Sequence, residues 1–254
     1  MNGLLLALQF FTSIPIRKEL PMERKDVTGM YIALPLVGGI IGLAMYGMAA
    51  LFVDVIGTGT LLTSVFVVVA GIALTGGLHL DGFADMGDAF FSYRDRVKRL
   101  EILEDPRIGA FGTMALILLI IVKIALFEEL IQRSDGLLPY FIAIPLLARA
   151  GMNVYFSTTC LAKEKGIAHF FKEKLATGTL MASSIGMGLA IAVALGVIIH
   201  SVILPVVLLI VVSGAVLLFR SWSLKHFGGV SGDLCGAYIE GVEVLLWLAI
   251  IICI

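Results

Sequence analysis

Seven uninterrupted apolar stretches set what this chain can become: 28–54, 59–78, 109–128, 137–158, 176–198, 201–219 and 236–254. Crossing a hydrocarbon core about 30 Å thick takes roughly 20 helical residues. Within lipid, only helices and closed barrels satisfy their own backbone hydrogen bonds. Stretches of this length predict an all-α, polytopic integral membrane helical bundle of about seven transmembrane helices. Composition agrees, with 59% hydrophobic and 15% charged residues and a mean hydropathy of +1.05, too apolar for the surface of a soluble domain. No tandem repeat, low-complexity tract or separate soluble region breaks the pattern, so 1–254 reads as a single integral membrane domain. The opening MNGLLLALQFFTSIPI is too short to span and has neither a basic start nor a small-residue cleavage site. It reads as an interfacial or re-entrant helix rather than a signal peptide.

A net charge of −1 offers no electrostatic footprint for nucleic acid. Cys160, Cys235 and Cys253 are widely spaced and form neither a disulfide framework nor a zinc motif. The basic residues are informative by position. Arg17, Lys18, Arg24 and Lys25 precede the first stretch; Arg94, Arg96, Lys98, Arg99 and Arg107 follow the second; Lys163, Lys165, Lys172 and Lys174 follow the fourth; Arg220 and Lys225 follow the sixth. Fifteen of the eighteen basic residues thus fall in alternate connections. Cytoplasmic loops carry that excess, which predicts a multi-pass protein of the cytoplasmic (inner) membrane with these loops inside and the C-terminus outside.

Against this background HLDGFADMGDAF, residues 79–90, places Asp81, Asp85 and Asp88 within three turns. At about 100° per residue they fall within roughly 60° on one helix face. If 59–90 were one helix it would be about 48 Å long at ~1.5 Å per residue, so the acids belong at the cytoplasmic interface. There, towards a helix C-terminus, the macrodipole adds to their mutual repulsion, and something positive must compensate. The following RDRVKR run could do so. So could a divalent metal, because clustered carboxylates are hard oxygen ligands suited to magnesium. Gly76, Gly77 and Gly82 would admit a close neighbour, whether a helix or a ligand.

Two further motifs lie on the same side. In LEILEDPRIGAFG, Asp105 before Pro106 reads as an ordinary helix N-cap. Arg107, Gly109 and Gly112 would equally suit a phosphate at a helix start. In FGGVSGDLCGA, Gly228, Gly229 and Gly232 surround Asp233; this is either a flexible turn or a tight backbone loop around a phosphate or ribose, with Asp233 as metal ligand or proton acceptor. Arg149, inside the fourth stretch, must face the bundle interior, where an acid or a phosphate is its natural partner. Lys123 can snorkel to the outer end of its stretch. Lys163 and Lys165 are either positive-inside residues or substrate contacts. His79 lies on a different helix face from Asp81 and is a weak general-base candidate.

GGLHLDGFADMGDAF, LEILEDPRIGAFG and GGVSGDLCGA, together with FFTSIPI at the start and LPLVGGIIG in the first stretch, resemble the cobalamin-5′-phosphate synthase family, also called adenosylcobinamide-GDP ribazoletransferases. The resemblance covers most of the chain, with the motifs in order. It implies the last assembly step of the coenzyme B12 nucleotide loop: the 3′-hydroxyl of α-ribazole or its 5′-phosphate attacks the cobinamide-proximal phosphorus of adenosylcobinamide-GDP, and GMP leaves. It also implies a Mg2+ cofactor. Combined with the residue reading, it assigns catalytic roles to Asp81, Asp85 and Asp233 and metal binding to Asp81, Asp85, Asp88 and Asp105. Arg107, Gly109, Arg149, Gly228, Gly229, Gly232, Lys163 and Lys165 become substrate-binding candidates. HLDGFAD also resembles the start of the CDP-alcohol phosphotransferase pattern, but Asp85 stands where that pattern has arginine and its later acidic repeat is missing. A metal or proton transporter is the reading from another class; it would bury acids near the midplane of several spans. Assembly as a homo-oligomer is left open.

Overall fold

Residues 2–134 and 136–254 are described by a computed structural model. In chain order the helices are α1 (Asn2–Phe11), α2 (Arg24–Ala50, continued by a π-helical segment Leu51–Ile56), α3 (Thr60–Thr75), α4 (Leu78–Phe91), α5 (Arg96–Ile102), α6 (Ala110–Arg133), α7 (Leu138–Thr158), α8 (Ile167–Glu173), α9 (Thr177–Ile198), α10 (Ile203–His226) and α11 (Gly232–Cys253). Among the described residues there is no named strand, and the fold is the expected all-α, multi-pass arrangement.

The span count is smaller than the seven stretches suggest. Five helices are long and apolar enough to cross a membrane among the described residues: α2 with its π segment, α6, α9, α10 and α11. The bent pair α3 and α4 makes a sixth if counted as one span. The stretch 137–158 became α7, a 21-residue helix whose Arg149, Asn153, Pro139 and Pro145 dilute its hydropathy. Such a helix is tolerated because protein rather than lipid surrounds it. It packs against α2, α9, α10 and α11, and Asn153 Nδ2 donates to the Tyr31 carbonyl at 2.8 Å and to Ser184 Oγ at 3.1 Å. The α2–α7 contact is a backbone approach: a Cβ at Gly38 would stand 2.5 Å from the Pro145 carbonyl oxygen, and one at Gly42 would run into that of Phe141. Towards the other end, Phe127, Phe141 and Trp247 form a ring cluster with centroids 5.1–5.5 Å apart.

The largest departure from the sequence reading lies between α3 and α4. Residues 59–90 do not form one long helix. Gly76 and Gly77, with φ of +62° and +76°, terminate α3, and α4 leaves at 94° to it. Glycine populates this left-handed region without a Cβ penalty. Two helices at that angle cannot both follow the membrane normal. α3 lies alongside α2 and α6 and keeps that direction, so α4 runs across the end of the bundle. Asp81 therefore occupies the first turn of a new helix, where the macrodipole favours an anion, opposite to the expected placement near a C-terminus.

Candidate active site

α4 is held from two sides. Its Gly82 sits on the start of α11, where a Cβ would be 2.6 Å from the Asp233 carbonyl oxygen and 2.8 Å from its Cα. One turn away, Gly236 of α11 lies against the backbone of His79, where a Cβ would be 3.0 Å from the carbonyl oxygen and 3.1 Å from the Cα. These glycines bring the first turn of α4 and the first turn of α11 together, and with them Asp81 and Asp233. Ser231 caps α11, accepting from Leu234 N at 3.2 Å and donating to Asp233 Oδ2 at 3.3 Å. Asp81, Asp88 and Asp233 all lie within electrostatic reach of Asp85. Among the described residues, neither the Asp81 nor the Asp85 carboxylate has a hydrogen-bond or ion-pair partner, so the RDRVKR run does not neutralise them. Its Arg96 donates to the Phe227 carbonyl at 3.0 Å, its Lys98 pairs with Glu101, and its Arg99 meets His226.

Asp88 is used differently from its expected role as a metal ligand. Its carboxylate accepts from the N–H groups of Gly109 at 2.6 Å and Gly112 at 2.8 Å, capping α6 from a neighbouring helix. Those are the helix-start donors that were expected to face a phosphate. Asp105 is not the N-cap of α6; Gly109 is, because the chain after Pro106 needs three more residues to reach the helix. Asp105 instead accepts from the backbone N, Nε and Nη2 of Arg107 at 3.1, 2.8 and 2.7 Å, and the Arg107 side chain holds its carboxyl down at about 2. Neither residue lines the cavity described next.

Asp81 and Asp233 line a cavity of about 320 Å³. Lys163, Lys165 and Gly232 line it with them, Lys163 and Asp81 within electrostatic reach of Asp233, and a cluster of aromatic side chains makes up another part of the lining. The Lys163 ammonium donates to the Leu100 carbonyl at 2.6 Å and meets Glu104 at 3.0 Å, with Lys165 at 3.4 Å from the same carboxylate. Lys163 foremost, then Lys165, hold Glu104 below the usual carboxylate range. The two lysines thus tie the loop after α7 to the loop after α5 at the mouth of the cavity. Of the three glycines before Asp233, only Gly232 reaches the cavity. Gly228, at φ +80°, lies against the Arg96 guanidinium, and Gly229 leads into a two-way backbone pairing, Val230 N to Cys160 O at 2.8 Å and Ala162 N to Val230 O at 3.0 Å. They close the loop rather than cradle a ligand.

Arg149 lies outside this cavity. Its Nη1 donates to Glu243 Oε1 at 2.8 Å and to the Pro145 carbonyl at 3.0 Å. Lys123 does not snorkel; it turns inward to Glu240 and, at 3.1 Å, to Glu243. Two acids and two bases therefore form a buried, charge-balanced quartet between α6, α7 and α11. Balanced charge leaves no free carboxylate for ion passage, unlike the transporter reading. Glu240 and Glu243 escaped the sequence reading, although their i, i+3 spacing inside an apolar stretch was a visible signal. The phenylalanines of α1 were also missed: Phe10 and Phe11 line the cavity, carried there because α1 crosses α2 with Gly3 on the backbone of Gly29.

Comparison with known proteins places these elements in a family. Residues 3–251 match the family model described as Cobalamin-5-phosphate synthase. The chain is 38% identical to the adenosylcobinamide-GDP ribazoletransferase of Geobacillus kaustophilus over 97% of this chain and 94% of that protein. It is 32% identical to the protein of that name from Clostridioides difficile, over 96% and 95%, and 32% identical to that from Pseudomonas aeruginosa, over 98% of each. No solved structure matches. With residues 3–251 matched and relatives 32–38% identical over nearly their full length, the chain belongs to the cobalamin-5-phosphate synthase family.

Proposed function

We propose that this protein transfers the cobinamide-phosphate moiety of adenosylcobinamide-GDP to the 3′-hydroxyl of α-ribazole or α-ribazole 5′-phosphate, releasing GMP, as the last assembly step of the coenzyme B12 nucleotide loop. Family membership and the names of the relatives support the reaction. The observation that carries its location is the meeting of Asp81 and Asp233, from α4 and α11, in a cavity that Lys163 and Lys165 also line. In the transfer, the ribose oxygen–phosphorus bond forms as the bond from that phosphorus to GMP breaks. The hydroxyl proton passes to a carboxylate of the acid cluster; the leaving phosphate needs none. Lys163 faces the developing charge, and positioning supplies most of the rate.

Magnesium belongs to this reading. Asp81 and Asp233 would hold it, with the Asp85 charge close by: carboxylates are hard oxygen donors, and neither the Asp81 nor the Asp85 carboxylate has a cationic partner. Mg2+ is usually held by one or two carboxylates together with water and substrate phosphates. A site that substrate completes accords with the finding that, among the described residues, no three acidic, histidine or cysteine side chains are gathered as a ready cage. Bound there, the ion neutralises charge on the phosphoryl oxygens. The excess of basic residues on this side argues for a cytoplasmic membrane enzyme whose site faces the cytoplasm.

The test is to supply a membrane fraction containing the chain with adenosylcobinamide-GDP, ribazole phosphate and Mg2+, and to assay GMP and cobalamin. Release of CMP from a CDP-alcohol with no corrinoid product would favour a CDP-alcohol phosphotransferase that makes a lipid instead. Gly82→Ala provides a geometric check. Its methyl must push α4 off Asp233, and a shift of about 1 Å at reacting groups can cost on the order of 10²-fold in rate. GMP release should fall by about that factor, with helical content by circular dichroism unchanged.

A further inference from the structure

The polar lining of the 320 Å³ cavity is accounted for by the chemistry above; its remaining wall is not. Phe10 and Phe11 from α1, Tyr31 from α2, Phe156 from α7 and Phe171 from α8 line it. Their rings support one another, with Tyr31 stacked on Phe156 at 5.3 Å and Phe171 edge-on to Phe10 at 5.0 Å and to Tyr31 at 5.8 Å. His79 also lines the cavity, 3% exposed, on the side of Arg149, Glu243 and Lys123, with neither ring nitrogen bonded to any protein group. Burying an imidazole with both nitrogens unmatched is costly. A cavity that spends that cost beside a set of aromatic faces is built for a flat ligand with a polar edge. The Tyr31 hydroxyl, which makes no hydrogen bond among the described residues, adds a second polar contact on the same wall.

Size selects between the two substrates of the proposed reaction. About 320 Å³ is at the lower end of the roughly 300–1,000 Å³ found for small-molecule sites. It holds one bicyclic base with its ribose and cannot enclose a corrin macrocycle bearing a nucleotide. Resting on the function proposed above, we infer that this cavity is the acceptor subsite: the planar benzimidazole of ribazole lies against the ring wall, His79 hydrogen-bonds the ligand, and the ribose hydroxyl reaches Asp81 and Asp233. The donor then approaches from the mouth, with only its diphosphate inside. His79 acts as a positioning residue. As a neutral imidazole it offers one donor and one acceptor, and its role requires no change of charge.

The full-length chain in detergent tests this by steady-state kinetics with both substrates varied. Free benzimidazole should inhibit competitively against ribazole and not against adenosylcobinamide-GDP, a result that needs no mutation. Phe11→Leu, which keeps the wall apolar but removes a ring face, and His79→Ala should each raise the ribazole KM about tenfold, the equivalent of ~1.4 kcal/mol. The donor KM should stay within about twofold. His79→Asn, which retains a donor and an acceptor, should recover part of the loss, whereas a merely structural role for His79 would move both KM values together. Competition of benzimidazole with the donor, or a rise confined to the donor KM, overturns the assignment; so does absence of competition, which would leave the wall to a lipid chain. A wild-type chain that releases no GMP from the donor rejects the proposed reaction. The subsite is then judged by calorimetric binding of α-ribazole to wild type and its loss in Phe11→Leu.

Discussion

Asp81→Asn should lower GMP release by about 10³-fold while leaving the protein in the membrane with unchanged helical content. The substitution keeps size and shape, removes the charge and exchanges one acceptor oxygen for an NH2 donor, so its effect reports the loss of an anionic ligand rather than of packing. Removing a single preorganised group that stabilises transition-state charge costs about 10²–10³-fold, and Asp81 is proposed to hold the cation that neutralises the transferring phosphoryl group. Folding should tolerate the change, because the carboxylate makes no hydrogen bond or ion pair within the described residues, and losing an unbalanced acid beside Asp85 relieves repulsion. Asp88→Asn should behave oppositely. Its carboxylate caps α6 through two backbone donors, so stability should fall by about 1 kcal/mol with a smaller direct effect on the rate. Thermal unfolding in detergent, measured beside turnover, separates the two aspartates.

Glu243→Ala should be the most destabilising single change in the bundle. Its carboxylate is shared between Arg149, which is buried, and Lys123, whose side chain is only 12% exposed. Truncating one member of a buried ion pair strands the partner charge and costs about 3–5 kcal/mol. Here one truncation strands part of two. Pairing Glu243→Leu with Arg149→Leu removes a matched acid and base and leaves Lys123 with Glu240. The double variant should regain a large part of the loss, since replacing a whole buried pair by apolar groups is often close to neutral. Unfolding midpoints of the two single variants and the double variant form the cycle. Equal stability of Glu243→Ala and the wild type would mean that the quartet contributes nothing to holding α6, α7 and α11 together.

The helical class and most of the crossings were legible because lipid imposes a length and a hydropathy that a chain cannot disguise. Arg149 was legible in part: its cost in lipid demanded an acid partner, and Glu243 is that acid. Its assignment to substrate failed because phosphate and carboxylate satisfy a guanidinium equally well in a sequence. The turn at Gly76 and Gly77 was visible as a pair of glycines, but nothing local distinguishes glycines that admit a neighbour from glycines that adopt positive φ. Missing that turn reversed the sense of the macrodipole at Asp81. The i, i+4, i+7 face of Asp81, Asp85 and Asp88 is present on α4, yet the helix divides it. Asp88 turns to α6, and Asp81 is joined by Asp233 from α11. That pairing depends on the close contact of Gly82 with Asp233, a tertiary fact between residues about 150 positions apart. Lys123 was misread because snorkelling and burial with an acid look alike until a neighbouring helix is in place.

Binding of Mn2+ as a paramagnetic substitute for Mg2+ tests the acid site most directly, because it reads the metal without requiring turnover. With adenosylcobinamide-GDP present, the wild-type chain in detergent should bind a Mn2+ ion whose resonance broadens on binding, and the affinity should drop at least about tenfold in both Asp81→Asn and Asp233→Asn. Asp105→Asn should bind as the wild type does. Unchanged Mn2+ affinity in the Asp81 and Asp233 variants would contradict the placement of the cation between α4 and α11.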